Sequence, residues 1–289
     1  MKTTAFLILA FQLATQLMGQ ELELLSVGQI QRLNGKRFDL SGISSRNDSV
    51  FVVADKASNP YIYLLGTVAK GYEVASWKKI RSAGSYIDYE GIAQAKGEFY
   101  LINEKTSSVQ RISEEGTIRK TPIRYKDAGL KPKNWKNAGL EGIAINEKKG
   151  LIYLAKERSP RFILEVEEET GRIRRKIKLK KHGMDFSDLC FNKGYLYALI
   201  RSSFEVLKID PKNMKVNASY SYRSVAKPEK EKLFEPYRFG MAEALLLTEN
   251  EIWIGLDNNH VKASGYGSKR FGLEGNAPAI LKFRRPVGF

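Results

Sequence analysis

The sequence predicts an all-β fold, a β-propeller of five four-stranded blades closed by the N-terminal strand, and three observations carry that prediction. One short pattern recurs: Asp39-Leu40-Ser41-Gly42-Ile43, Asp88-Tyr89-Glu90-Gly91-Ile92, Gly139-Leu140-Glu141-Gly142-Ile143, Asp185-Phe186-Ser187-Asp188-Leu189 and Met241-Ala242-Glu243-Ala244-Leu245. Its third residues, 41, 90, 141, 187 and 243, stand 49, 51, 46 and 56 positions apart, and a period near 50 residues is that of a propeller or a comparable array. Each repeat divides into short runs rich in Ile, Val, Tyr and Phe, with Gly and Asn where tight hairpins need a positive φ. Four antiparallel strands per unit make a propeller blade.

Taken in order, the chain opens with Met1-Lys2, an apolar run from Ala5 to Phe11 and a small residue at Gly19. These are the marks of a secretory signal peptide over 1–20, too short to span a bilayer as a helix. Its removal leaves one domain, 21–289, that is secreted or periplasmic, with no transmembrane segment and read as a monomer. The second repeat then supplies strands at Gly91 to Ala95, Glu98 to Asn103, Ser108 to Ser113 and Thr117 to Tyr125. The third supplies Gly142 to Asn146, Leu151 to Lys156, Phe162 to Glu167 and Arg172 to Leu179. The fourth continues with Tyr195 to Ile200, Phe204 to Asp210 and Lys215 to Tyr222. The fifth offers Ala244 to Leu247, Glu251 to Leu256 and Ala279 to Arg284, then ends without a fourth strand. An extra strand at Glu21 to Leu33 supplies the missing one and closes the ring. The alternative is six blades, with segment 223–240 drawn into a further unit.

Composition bounds the partners. A net charge of +16 makes the surface attract anions, either an anionic small molecule or an envelope component. No nucleic-acid motif accompanies the charge, and export removes nucleic acid from the expected partners. The basic run Arg172 to Lys180 reads as an outer strand whose cations discourage edge pairing, with a dedicated anion site as the alternative. The single cysteine, Cys190, lies in an apolar stretch and reads as a small buried hydrophobe.

The chemistry is expected at one end of the propeller. The first two strands of each blade form a hairpin, so the start of one lies beside the end of the other. The starts carry Ser41, Glu90, Glu141, Ser187 and Glu243, and the ends carry Asp55, Glu104, Glu157, Arg201 and Asp257. With Gly42, Gly91, Gly142 and Ala244 suiting the crowding near the axis, the acids gather at one mouth of the channel. Converging carboxylates repel unless a cation or proton neutralises them. Oxygen ligands without histidine or cysteine select calcium, or less often magnesium, over zinc, so Asp55, Glu90, Glu104, Glu141, Glu157, Glu243 and Asp257 are candidate ligands. The competing expectation is that these acids bond backbone amides and fasten adjacent blades. Arg201 pairs with Asp185 or Asp188, or else holds an anionic substrate, as Lys105, Lys156 and Arg158 also could.

Other chemistries find little support. Only His182 and His260 are present, which excludes a histidine-rich metal site. His260 follows Asp257-Asn258-Asn259 at the expected acidic rim and is the one candidate general acid or base. No Gly-x-Ser-x-Gly elbow and no Walker loop occur.

The segments Asp88-Tyr89-Glu90-Gly91-Ile92, Phe99 to Glu104, Asn137 to Ala144 and Tyr153 to Pro160 resemble the SdiA-regulated propeller proteins. The Leu-Glu-Gly-Ile pattern, with Leu256-Asp257-Asn258-Asn259 and Ala279 to Pro286, is also similar to the phytase-like family, described as having esterase-like activity. The resemblance covers about residues 38–286. It implies an exported, calcium-linked propeller with phosphoester hydrolysis, and it points to Glu90, Glu104, Glu141, Glu157, Glu243 and Asp257. The fourth repeat lacks the matching glutamate. Two functions therefore stand open: a phosphoesterase or esterase-like hydrolase acting on an anionic substrate, and a non-enzymatic envelope binding protein with a structural calcium.

Overall fold

The computed structural model describes residues 19–31, 37–56, 58–80, 88–179, 182–229, 231–235 and 241–289. The apolar leader, up to residue 18, lies outside them. The fold is all-β and a propeller, built of consecutive antiparallel meanders. The first contains β3 (Asp39–Arg46), β4 (Ser49–Asp55), β5 (Tyr61–Val68) and β6 (Gly71–Lys79). The second contains β7 (Tyr89–Ala95), β8 (Glu98–Asn103), β9 (Ser108–Ile112) and β10 (Ile118–Thr121). The third contains β11 (Leu140–Asn146), β12 (Leu151–Lys156), β13 (Phe162–Glu167) and β14 (Ile173–Ile177). The fourth contains β15 (Asp188–Asn192), β16 (Tyr195–Ile200), β17 (Glu205–Asp210) and β18 (Lys215–Ser221). Two short strands precede them, β1 (Gln20–Glu21) and β2 (Leu24–Gln31), and three follow, β19 (Ala242–Leu247), β20 (Glu251–Leu256) and β21 (Ala279–Arg284).

Strand β2 lies antiparallel to β21, with Leu24 opposite Phe283 and Gln29 opposite Ala279. Its last residues, Ile30 and Gln31, run parallel to Tyr72 and Glu73 of β6. The hydrogen-bonded ladder therefore continues from the last meander into the first as one eight-stranded sheet. The described part of segment 223–240 holds a helical turn, Arg223–Ala226, and an isolated bridge from Phe234 to Ala263, with no strand. A helix at Gly265–Phe271, capped by the Ser264 hydroxyl accepting from the Gly267 amide, sits between β20 and β21 and has no counterpart in the sequence expectation.

The core lies between meanders, which explains why the second strands read as nearly continuous apolar runs: both of their faces are covered. Every residue of β8 and β12 is buried. One cluster joins Phe51 and Val53 to Ile92, Phe99 and Leu101, and the next joins Tyr100 and Ile102 to Ile143 and Leu154. The series continues through Tyr153 with Leu189 and Leu196, and Tyr197 with Leu245 and Ile254. It ends by packing Trp253 and Ile280 of the last meander on Leu40 and Val52 of the first. Each such Leu or Ile contributes about 1.5–3 kcal/mol by leaving water. The first strands β3, β7, β11, β15 and β19 pack on one another in cyclic order. Glycine permits that approach: a Cβ on Gly142 would meet the Asp188 Cα at 2.7 Å, and one on Gly91 the Glu141 carbonyl oxygen at 2.6 Å.

Basic strand β14 is the outermost of its meander, as the charge pattern leads one to expect. Its Arg175 side chain does more than solvate the edge, since it binds Glu165 and the carbonyl of Lys212 at 3.1 Å in the next meander. Among the described residues, no helix is long and apolar enough to cross a membrane.

Candidate functional site: an acidic mouth

The register explains how the repeated glutamates reach the axis. The ladder between the first two strands of a meander is interrupted between Leu40 and Gly42, Tyr89 and Ile92, Leu140 and Gly142, and Ala242 and Ala244. Ser41, Glu90, Glu141 and Glu243 fall in those interruptions. A β-bulge leaves its extra residue unpaired and re-aims the side chain. The Glu-Gly step thus works as a unit: the bulge turns the glutamate out of the ladder, and the glycine lets the next strand approach. In the fourth meander β15 begins only at Asp188, and its ladder runs without interruption.

Of the acids that sequence spacing places side by side, Glu90 interacts with Glu104 and Glu243 with Asp257, whereas Glu157 binds Arg158 and Arg201. Glu90 is pushed well above the usual carboxylate range by burial, then by the charges of Glu141, Glu243, Asp88 and Glu104. Burial also raises Glu141 well above that range, with Glu243 and Glu104 adding to it and Arg201 and Arg158 opposing. Glu243 is raised by burial against the pull of Arg201. Asp257 is pushed up to about 7 by burial and by Asp39. Glu104 is raised by burial, although its Oε1 accepts the Gly139 amide at 2.8 Å.

Asp55, Asp88 and Glu90 each place a carboxylate oxygen within 4.8 Å of the others. Calcium sits about 2.3–2.6 Å from its oxygen ligands, so oxygens at this spacing can share one ion. The donors are hard, which fits calcium and not zinc. Asp88 was absent from the ligands expected from sequence, although it stands two residues before Glu90 in the repeated motif. The matching first positions in other repeats are neutralised: Asp39 by Arg37 at 2.6 Å and Asp185 by Arg201. Asp55 is also paired with the exposed Lys56.

Arg201 is the electrostatic hub. Its guanidinium reaches Glu157 at 2.5 Å and Asp185 at 3.2 Å, and it also binds Glu243. Burial alone would depress its pKa, yet Glu243, Asp185 and Glu141 hold it above the ordinary arginine value. The ion pair expected with Asp185 is present, joined by two partners from other meanders. Asp188 does not pair with Arg201. Its Oδ2 accepts the Leu245 amide and its Oδ1 the Leu189 amide, both at 2.7 Å, and the Ile143 amide also bonds to it. Asp188 therefore fastens three neighbouring meanders, a role that the sequence reading offered for the rim acids and not for Asp188.

The remaining expected groups are placed differently from one another. Lys156 is 1% exposed, with its Nζ 5.5 Å from the Trp135 ring centre and bonded to the Arg158 carbonyl, which turns it into the protein interior. It orients as a second strand between two packed meanders must, and that direction is invisible in linear spacing. Lys105 is exposed in the turn after β8. Arg158 is exposed, pairs with Glu157 and donates to the Asn137 carbonyl at 3.0 Å. His260 is exposed beyond β20 in the left-handed region at φ 64°.

Fold and mouth together define a propeller with a ring of carboxylates at one end, tied by a central arginine. The SdiA-regulated family profile matches residues 26–224, more than half of the chain, and the protein belongs to that family. Among solved structures it is similar to the glutaminyl cyclase of Myxococcus xanthus, with a TM-score of 0.58 and 12% identity over 92% of this chain and 98% of that one. It is also similar to the WD40 β-propeller domain of Doa1, at 0.49 and 9% identity over 92% and 98%. The PQQ-bound aldose sugar dehydrogenase of Streptomyces coelicolor scores 0.48 with 11% identity over 90% and 98%. At 12% identity the likeness to the glutaminyl cyclase is one of fold. No curated protein matches the chain in sequence.

Proposed function

We propose that this is an exported, five-bladed propeller, closed by β2, whose acidic mouth holds calcium and acts as a hydrolase on an anionic phosphoester. The observation that carries the reading is the approach of Asp55, Asp88 and Glu90 to within 4.8 Å, with Glu104, Glu141 and Glu243 acting on Glu90. Acids so placed raise one another's free energy of ionisation, and a hard divalent cation relieves that cost. Asp55, Asp88 and Glu90 would hold the ion, with Glu141 and Glu104 beside them. A bound calcium would supply charge for an anionic substrate and a more acidic water. Asp257, held near neutrality, is suited to exchange a proton there. The glutaminyl cyclase that shares this fold over its whole length is itself an enzyme, which supports catalysis on such a scaffold. Export rests on residues 1–20 of the sequence.

A second reading, an envelope binding protein with a structural calcium, is favoured by the state of Arg201. Its three carboxylate partners leave its guanidinium committed and not available to a substrate phosphate. The two readings separate in one experiment: phosphatase and esterase turnover with calcium and with chelator, alongside melting, for wild type and Glu141→Gln. The hydrolase reading expects calcium-dependent turnover that Glu141→Gln abolishes with little change in melting. Melting that depends on calcium, with no turnover in either protein, leaves the binding reading alone.

A further inference from the structure

Residues 122–139 connect β10 to β11 and wind as two 3-10 turns, Tyr125–Ala128 and Pro132–Asn134. The connection is anchored at both ends. The Arg124 amide donates to the Gly171 carbonyl at 2.9 Å and the Tyr125 hydroxyl to the Ser107 carbonyl at 2.7 Å, while the Gly139 amide ends on Glu104. Within it lies a cleft of about 1090 Å³, lined by residues 123–127 and 129–134. Its base is apolar, since Ile123, Tyr125 and Leu130 pack on the core between the second and third meanders beside Trp135. Trp135 stands edge-on to Tyr125 at 5.5 Å and to Phe162 at 6.0 Å, which stiffens that base. Its rim is basic, with Arg124, Lys126, Lys131 and Lys133 all exposed. One acid, Asp127, lines the cleft, and Arg124 engages it at 2.6 Å.

We propose that this cleft is a second binding site, separate from the acidic mouth, for a free anionic amphiphile. The apolar body would rest over Tyr125 and Leu130, and a phosphate or sulfonate head would sit among Lys126, Lys131 and Lys133. The volume is that of a site for a small organic molecule. The rim charge selects the sign of the head, and the apolar base distinguishes such a ligand from inorganic phosphate. The mouth, rich in carboxylates, is the wrong place for an anion without its cation. The cleft needs none.

The test is calorimetric titration with dodecyl phosphate below its micelle concentration, in chelator, against wild type and Lys126→Glu/Lys131→Glu/Lys133→Glu. Binding should persist in chelator, weaken with added salt and fall at least about tenfold in the triple variant, as screened charge attraction requires. Dodecyl trimethylammonium should not bind, and inorganic phosphate should bind at least about tenfold more weakly. A Lys131→Gln/Lys133→Gln variant with unchanged melting should show an intermediate loss, which separates charge from folding. Equal binding in the triple variant, loss of binding on adding chelator, or inorganic phosphate binding as tightly would each overturn the proposal. So would binding to phosphatidylglycerol vesicles without binding of the monomeric probe.

Discussion

Glu90, Glu141 and Glu243 owe their position to bulges, and their raised pKa values first to burial, with neighbouring acids adding to it. Their raised pKa values carry a sign for stability. Asp257 shows it most simply, with a folded value of about 7 against an ordinary value of 3.8. A carboxyl raised on folding contributes stability that is complete below the unfolded pKa and is lost as pH climbs to the folded one. In chelator, melting temperature should therefore fall between about pH 4 and pH 7, and Asp257→Asn should flatten that slope in a pH series of thermal melts. Arg201 works in the opposite sense. Replacing it with Gln leaves Glu157, Asp185 and Glu243 without their cation and should destabilise the fold by about 2–4 kcal/mol in urea denaturation, a little under the cost of breaking a fully buried pair because the guanidinium keeps 17% of its exposure. At this scale much was legible: spacing alone brought Glu90 and Glu104, Glu141, and Glu243 with Asp257 to one end. Asp88 was not, because the motif's first position is an acid in three repeats and only the local pairing of Asp39 with Arg37 and of Asp185 with Arg201 sets those two apart. The direction of Lys156 was not legible either, since a strand covered on both faces gives a lysine no exposed side to mark.

Among the elements, the hairpins were readable from turn glycines and asparagines bounding β-branched and aromatic runs, and β12, β13 and β20 fall where those signals put them. The outer strands were overextended: β10 ends at Thr121, and Tyr125 enters a 3-10 turn instead. An outer strand has one ladder partner, so its length follows from the partner and not from its own propensity. The helix Gly265–Phe271 escaped because seven residues carry too little periodicity to announce themselves. The bulges escaped for a different reason, in that register is a property of two strands. They nonetheless make a prediction about glycine. Gly142→Ala drives a methyl into the Asp188 backbone and should cost about 1–3 kcal/mol or more, whereas Gly66→Ala, whose nearest neighbour is a flexible Glu73 side chain at 3.5 Å, should cost about 1 kcal/mol or less in the same denaturation series.

For the whole molecule, the cyclic packing of β3, β7, β11, β15 and β19 needs the last meander to meet the first, and β2 contributes to that join from both sides. Deleting residues 20–31 should remove the outer strand from β21 and broaden the thermal transition, which calorimetry would show as a calorimetric enthalpy exceeding the van't Hoff value. The packing of the first strands is also what concentrates the carboxylates, because hairpins that start at one end of it place their first residues side by side. The proposed binding of calcium at this end of the propeller is tested most directly by a calcium titration followed by melting temperature. Wild type should rise by roughly 5–10 °C once calcium exceeds its dissociation constant about a hundredfold, the shift expected for about 2.7 kcal/mol in a chain of this size. Asp88→Asn/Glu90→Gln should already melt higher without calcium and gain nothing from it. A wild-type melting temperature indifferent to calcium, or an equal rise in the double variant, would contradict the account.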